Sequence, residues 1–168
     1  MNALLEMPAP DAKAETEKPA KKKILLVDDD PAIRRILVRL LAEEDYVVLT
    51  AANGAEAVSQ AEVIAPDLVL LDLNMPVKDG WQTFEELSSQ HPEMPFILIT
   101  ARPNQFFTAL AAGVGALLEK PLDFAKLFST IHNLLEEPLQ TRLARLVGRS
   151  PDFRYVPPVP NPPGRRAR

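Results

Sequence analysis

The chain has 168 residues, enough for one domain with a substantial core and too few for two ordinary ones. It contains no cysteine, which excludes disulfides and thiol chemistry, and its longest nearly apolar run (109–118) falls far short of the ~20 residues a membrane-spanning helix needs. The net charge of −4 is unevenly spread: residues 1–23 carry +1, residues 24–137 carry −11 and residues 138–168 carry +6, so an acidic body is joined to a basic tail.

Residues 1–22 are rich in Ala, Pro, Lys and Glu without a sustained apolar period, and are expected to be a disordered extension. They lack the apolar core of an export signal, so the expected location is cytoplasmic. From Lys23 to Glu137 short apolar strands alternate with helical segments. The strands are "ILLV" (24–27), "YVVLTA" (46–51), "DLVLLD" (67–72), "FILIT" (96–100) and "ALLEK" (116–120). Ile33, Ile36, Leu37, Leu40 and Leu41 fall on one helical face, with Asp30 placed to cap that helix and Pro31 at its first position. Phe124, Leu127, Phe128, Ile131, Leu134 and Leu135 repeat the pattern, and weaker helices are expected over 54–64, 81–90 and 104–112. Strands apolar on both faces, alternating with helices, predict an α/β fold: a doubly wound five-stranded parallel sheet with helices on both faces.

Such sheets bind ligands beyond the carboxyl ends of their strands. The first strand ends in Asp28, Asp29 and Asp30, the third in Asp72, the fourth in Thr100, and the fifth in Lys120 followed by Pro121. Three adjacent carboxylates repel one another, and burying one costs several kcal/mol without compensation. Taken singly, the residues have plain readings: a helix cap at Asp28 to Asp30, a hydroxyl ending a strand at Thr100, a solvated charge at Lys120. Together they suit phosphoryl transfer. Lys120 supplies one positive charge, and Mg²⁺, which favours oxygen ligands, would supply two more around a nucleophilic Asp72.

The segments "KILLVDDDPAIR", "PDLVLLDLNMPVKDG", "ILITAR" and "AGVGALLEKP" resemble, in order and spacing, the receiver domain of bacterial two-component response regulators, over residues 23–137. The resemblance implies a flavodoxin-like strand order 2-1-3-4-5 and a phosphoryl-accepting Asp72. It implies Mg²⁺ held by Asp29 directly, by Asp28 largely through water, and by Asp72 and the Asn74 carbonyl. Thr100 is then the switch hydroxyl, Ala101 a backbone donor, Lys120 the phosphoryl counter-charge, and Lys120–Pro121 a cis bond. Asn74 and Arg102 stand where the family tunes aspartyl-phosphate hydrolysis. The phosphoryl donor would be a sensor histidine kinase or a histidine phosphotransfer protein. The protein is expected to be a stand-alone signalling domain, not an enzyme beyond its own phosphorylation and dephosphorylation.

Leu117 departs from the family, which commonly has an aromatic residue three before the lysine. Output to a downstream protein is expected through the face of the fourth helix and fifth strand, near Phe106 and Phe107, with a dimer as a further option. Trp81, Phe106 and Phe107 read as helix packing, and His91 and His132 as surface residues of helices. After residue 137, Leu139, Leu143, Leu146 and Val147 allow one short amphipathic helix, and the Pro- and Arg-rich remainder is expected to be extended and flexible. No DNA-binding helix-turn-helix fits there. The basic tail leaves open nucleic acid, an anionic surface or the acidic body as its contact. Two other readings of the body are a pseudo-receiver that only binds, and an aspartate-nucleophile phosphatase. The latter needs a second carboxylate two residues after the first, where this chain has Asn74.

Overall fold

The computed structural model describes residues 20–76, 79–150 and 152–160. The expected extension over 1–19, the end of the tail over 161–168, and part of the "MPVKDG" turn lie outside them. Strands β1 (Lys23–Val27), β2 (Val47–Ala51), β3 (Leu68–Asp72), β4 (Phe96–Thr100) and β5 (Ala116–Glu119) alternate with helices α1 (Pro31–Glu43), α2 (Gly54–Ile64), α3 (Gly80–Gln90), α4 (Phe106–Ala111) and α5 (Phe124–Leu135). A further helix α6 (Leu139–Leu146) and a short strand β6 (Arg154–Val156) follow. Among the described residues no helix is long and apolar enough to cross a membrane.

The sheet order is β2-β1-β3-β4-β5-β6, with every pair parallel. The first five strands take the expected order, and the sixth is an addition. Successive side chains of a strand point to opposite faces, so each buried strand feeds two cores. Leu25, Val27, Val69, Leu71, Leu98 and Leu117 pack on one side with Ala57, Ala61, Phe84, Leu87 and Ala109 of α2 to α4. On the other side Ile24, Leu26, Leu70, Ile97 and Leu118 meet Leu37 and Leu41 of α1 and Leu127, Ile131 and Leu134 of α5. Asp30 caps α1, its carboxylate accepting the N–H groups of Ala32 and Ile33, with Pro31 in the first turn.

The segment after residue 137 corrects the expectation of a flexible tail over its described part. Leu117 of β5 lies opposite Tyr155 and Leu118 opposite Val156, and the Arg154 N–H bonds Gly115 O. Prolines after Val156 stop the ladder, but three residues suffice to cover the β5 edge. Helix α6 is turned in an unusual sense. Leu139, Leu143 and Val147 face solvent, whereas Arg145 is only 4% exposed. The reason is the surface it meets. Arg145 forms a two-pronged pair with the Glu137 carboxylate (Nη2 to Oε2, 2.9 Å) and donates to Gly113 O and Asp152 O. Those oxygens need donors, which a leucine face cannot provide. Gly113, at φ +71°, admits the helix: a Cβ there would sit 2.9 Å from Leu146 Cα.

Candidate functional site

The carboxyl ends of β1, β3, β4 and β5 bring Asp28, Asp72, Thr100 and Lys120 together. Asp72 closes β3 and is 3% exposed; Asp28, just beyond β1, is 2% exposed. Carboxylate oxygens of Asp28, Asp29 and Asp72 all lie within 4.8 Å of one another, with Asp29 exposed to solvent. Among the described residues, the ammonium paired with these carboxylates is that of Lys120, whose Nζ is 2.7 Å from Asp72 Oδ2 and 3.5 Å from Asp28 Oδ2. Gly80 matters here because α3 starts against the site strand. A Cβ at Gly80 would lie 2.5 Å from the backbone carbonyl oxygen of Asp72, so any side chain would push the helix off the end of β3.

Backbone and side-chain donors share the remaining lone pairs. The Asn74 N–H donates to Asp72 Oδ1 at 2.9 Å, and the Asp30 N–H to Asp28 Oδ1 at 2.8 Å. The Arg34 guanidinium donates to the Asp28 carbonyl. Burial pushes the Asp28 carboxyl above the usual range, against the opposing pull of the Asp30 N–H and of Lys120. For Lys120, burial draws the ammonium down, but its hydrogen bond to Asp72 and the charges of Asp72 and Asp28 together raise it. Three carboxylates paired with one ammonium leave an excess of negative charge, which the Arg34 guanidinium on the Asp28 carbonyl offsets only in part. An all-oxygen donor set of this charge fits a hard divalent cation.

The expected switch groups are engaged with Asn74. Its Oδ1 accepts both the Thr100 hydroxyl at 3.2 Å and the Ala101 N–H at 3.1 Å, while Thr100 Oγ1 accepts the Arg102 N–H at 2.9 Å. No pattern in the sequence signalled this double acceptance, because it depends on two strand ends meeting. The Arg102 side chain extends away toward Asp79, 3.8 Å from its carboxylate. The Lys120–Pro121 bond is cis, as the resemblance implies.

Other expectations shift in detail. Trp81 packs on the core and donates its indole N–H to Gln105 Oε1, but Phe107 is 79% exposed and is not helix packing. Phe106 instead meets Phe153 and Tyr155 of the C-terminal segment edge-on, at 5.4 and 5.3 Å. Leu117 is wholly buried in the core. His91 is the half-buried C-cap of α3, not a residue on an exposed helical face, and His132 is exposed. The β5 edge, expected as part of an output face, is paired with β6.

Residues 24–132 match the family model of the response regulator receiver domain. The transcriptional regulatory protein GlrR of Escherichia coli K12 is 39% identical over 124 residues, which cover 73% of this chain but only 28% of that protein. Among solved structures, a CheY-like receiver domain protein from Methanospirillum hungatei superposes with a TM-score of 0.66 at 30% identity, covering 70% of this chain and 95% of its own. The response regulator TrrA of Thermotoga maritima, solved with Mg²⁺ and a beryllium fluoride, superposes with a TM-score of 0.63 at 33% identity, covering 67% and 98%. The doubly wound sheet, the carboxylates gathered at its strand ends and the family match agree: the chain belongs to the response regulator receiver domain family of two-component systems.

Proposed function

We propose that Asp72 accepts a phosphoryl group and that the loaded domain changes its protein contacts. One observation carries the reading: a buried carboxylate held 2.7 Å from a lysine ammonium, inside a cluster in which carboxylates outnumber the cation paired with them. In the step, an Asp72 oxygen bonds to phosphorus as the P–N bond of a phosphohistidine breaks. The electron pair leaves with the imidazole nitrogen, which takes up a proton. Lys120 stays against the new group and offsets its charge. Asp28, Asp29, Asp72 and the Asn74 carbonyl would hold Mg²⁺, which supplies further charge neutralisation when bound.

Thr100 and Ala101 present the donors for the phosphoryl oxygens. In the unloaded domain both are satisfied by Asn74 Oδ1, so loading exchanges one acceptor for another and leaves no buried donor unpaired. Asn74 then stands beside the group and Arg102 would reach it by leaving Asp79, and the two tune its hydrolysis. The donor would be a histidine kinase or phosphotransfer protein. An apolar groove beside Lys120, lined by Ile33, Ile36, Leu122 and Phe124, offers that partner a surface. Exposed Phe107 offers a contact to a downstream protein.

Incubation with acetyl phosphate and Mg²⁺, read by intact mass, tests this. One Mg²⁺-dependent phosphoryl group is expected on the wild type and none on Asp72→Ala. An equal gain in the variant would place the chemistry elsewhere. A generic phosphate ester should not be hydrolysed; turnover would favour the phosphatase reading.

A further inference from the structure

The C-terminal segment reaches the rim of the site. Val159 donates its N–H to Pro121 O at 3.0 Å, one residue from Lys120. Upstream, β6 lies along β5, and β5 pairs with β4 so that Glu119 stands opposite Thr100. The Lys120 N–H then bonds Thr100 O at 2.8 Å. Phe106, at the start of α4, is gripped by Phe153 and Tyr155. One short segment therefore touches the lysine turn directly, and reaches the strand carrying the switch hydroxyl and the helix after it.

Its construction suits a support. Arg145 fastens the preceding helix to Glu137, Gly113 O and Asp152 O, so the segment starts from a fixed point. Pro157, Pro158 and Pro160 restrict the backbone around Val159 to extended conformations, so little freedom is lost when its N–H is placed. The bond it makes is to the residue that follows Lys120, whose ammonium contacts Asp72.

We infer that residues 152–160 form a positioning strap for the Lys120–Pro121 turn, so that strap docking and loading of Asp72 favour each other. This rests on the reading of Asp72 as phosphoacceptor. A turn already held in place gives its ammonium less freedom to lose when it takes a phosphoryl oxygen. Linkage is reciprocal: whatever factor the strap adds to loading, loading adds to strap docking. The leucine at position 117 fits this arrangement, because the aromatic contacts to α4 come from Phe153 and Tyr155 on the strap side of the sheet.

The test compares Val159→Pro, which removes the N–H donor, with Val159→Ala, which keeps it, both in the full chain. Affinity for beryllofluoride with Mg²⁺ is measured by calorimetry, beside the unfolding midpoint of each variant. Loss of one hydrogen bond predicts about three- to tenfold weaker binding for Val159→Pro, with Val159→Ala within about twofold of wild type; the midpoint of Val159→Pro falls by no more than the few degrees one hydrogen bond is worth, and that of Val159→Ala stays with the wild type. In the wild type, beryllofluoride should slow hydrogen exchange at the Arg154 and Val159 amides. Equal affinity of Val159→Pro and wild type, or exchange unchanged or faster on loading, overturns the strap. Failure of the wild type itself to bind beryllofluoride overturns the phosphoacceptor reading on which the strap rests.

Discussion

Two buried clusters in this domain set a cation against carboxylates, and they differ in balance. At the strand ends Lys120 faces Asp28, Asp29 and Asp72. Beneath α6, Arg145 and Arg142 share the single carboxylate of Glu137, and the remaining donors of Arg145 go to two backbone carbonyls. The second cluster has no shortage of positive charge, so its work is to hold the C-terminal segment. The first is short of positive charge, and that deficit is what a metal ion and a phosphoryl group with its partner donors would use. Burial and ion pairing alone would not separate a structural pair from a functional one; the charge left over does.

The largest expected effect on stability comes from breaking the cluster around Glu137. Arg145→Ala leaves the Glu137 carboxylate buried with only Arg142 nearby, and should cost about 3 kcal/mol in urea unfolding. A loss below that of an exposed pair would mean that α6 is not held as described. Next in size is Gly113→Ala. Gly113 and Gly148 share a positive φ, but only Gly113 lies against another backbone, 2.9 Å from Leu146 Cα for an added Cβ, whereas nothing lies within 4 Å of Gly148. Alanine at Gly148 should cost about 1 kcal/mol and at Gly113 about 2 kcal/mol or more. Equal costs would show that the α6 contact contributes nothing.

The unbalanced cluster should respond with the opposite sign. Asp28 carries a raised pKa from burial, so its charged form opposes folding at neutral pH. Asp28→Asn in metal-free buffer should therefore stabilise, by about 1 kcal/mol, while keeping an oxygen for the Asp30 N–H. The wild type should gain in turn from Mg²⁺, by about 1.4 kcal/mol at ten times its dissociation constant, and the variant much less. The smallest effect belongs to the exposed pair Arg39–Glu43 on α1, where Arg39→Ala should stay within about 0.5 kcal/mol.

The sequence carried the parallel body well because its signals are local. Apolar runs such as "LVLLD" are buried on both faces and could be little else than inner strands, and the period of Ile33 to Leu41 marks α1. Convergence of Asp28, Asp72, Thr100 and Lys120 was legible because a parallel sheet gathers all its carboxyl ends on one side. The tail was not legible, for a physical reason. Helix α6 buries Arg145 and exposes Leu143 only because unpaired oxygens of Gly113, Asp152 and Glu137 wait beneath it, and nothing local in "LQTRLARL" records them. Likewise "RYV" between a turn and two prolines carries no strand signal of its own; the β5 edge supplies the pairing. The sequence marks Asn74 for its carbonyl and for a part in hydrolysis, but not for the hold its side chain has on Thr100 and Ala101, a contact across 26 and 27 residues.

The difference between the two clusters comes down to where a phosphoryl group attaches. After loading with acetyl phosphate and Mg²⁺, borohydride reduces an aspartyl phosphate to homoserine, and peptide sequencing by mass locates it. Homoserine at position 72, and at no other acid of the chain, is the expected result. Homoserine at Asp28 or Asp29, or hydroxynorvaline (the reduction product of a glutamyl phosphate) at Glu137, would contradict the assignment of the charge-deficient strand ends as a site built around Asp72.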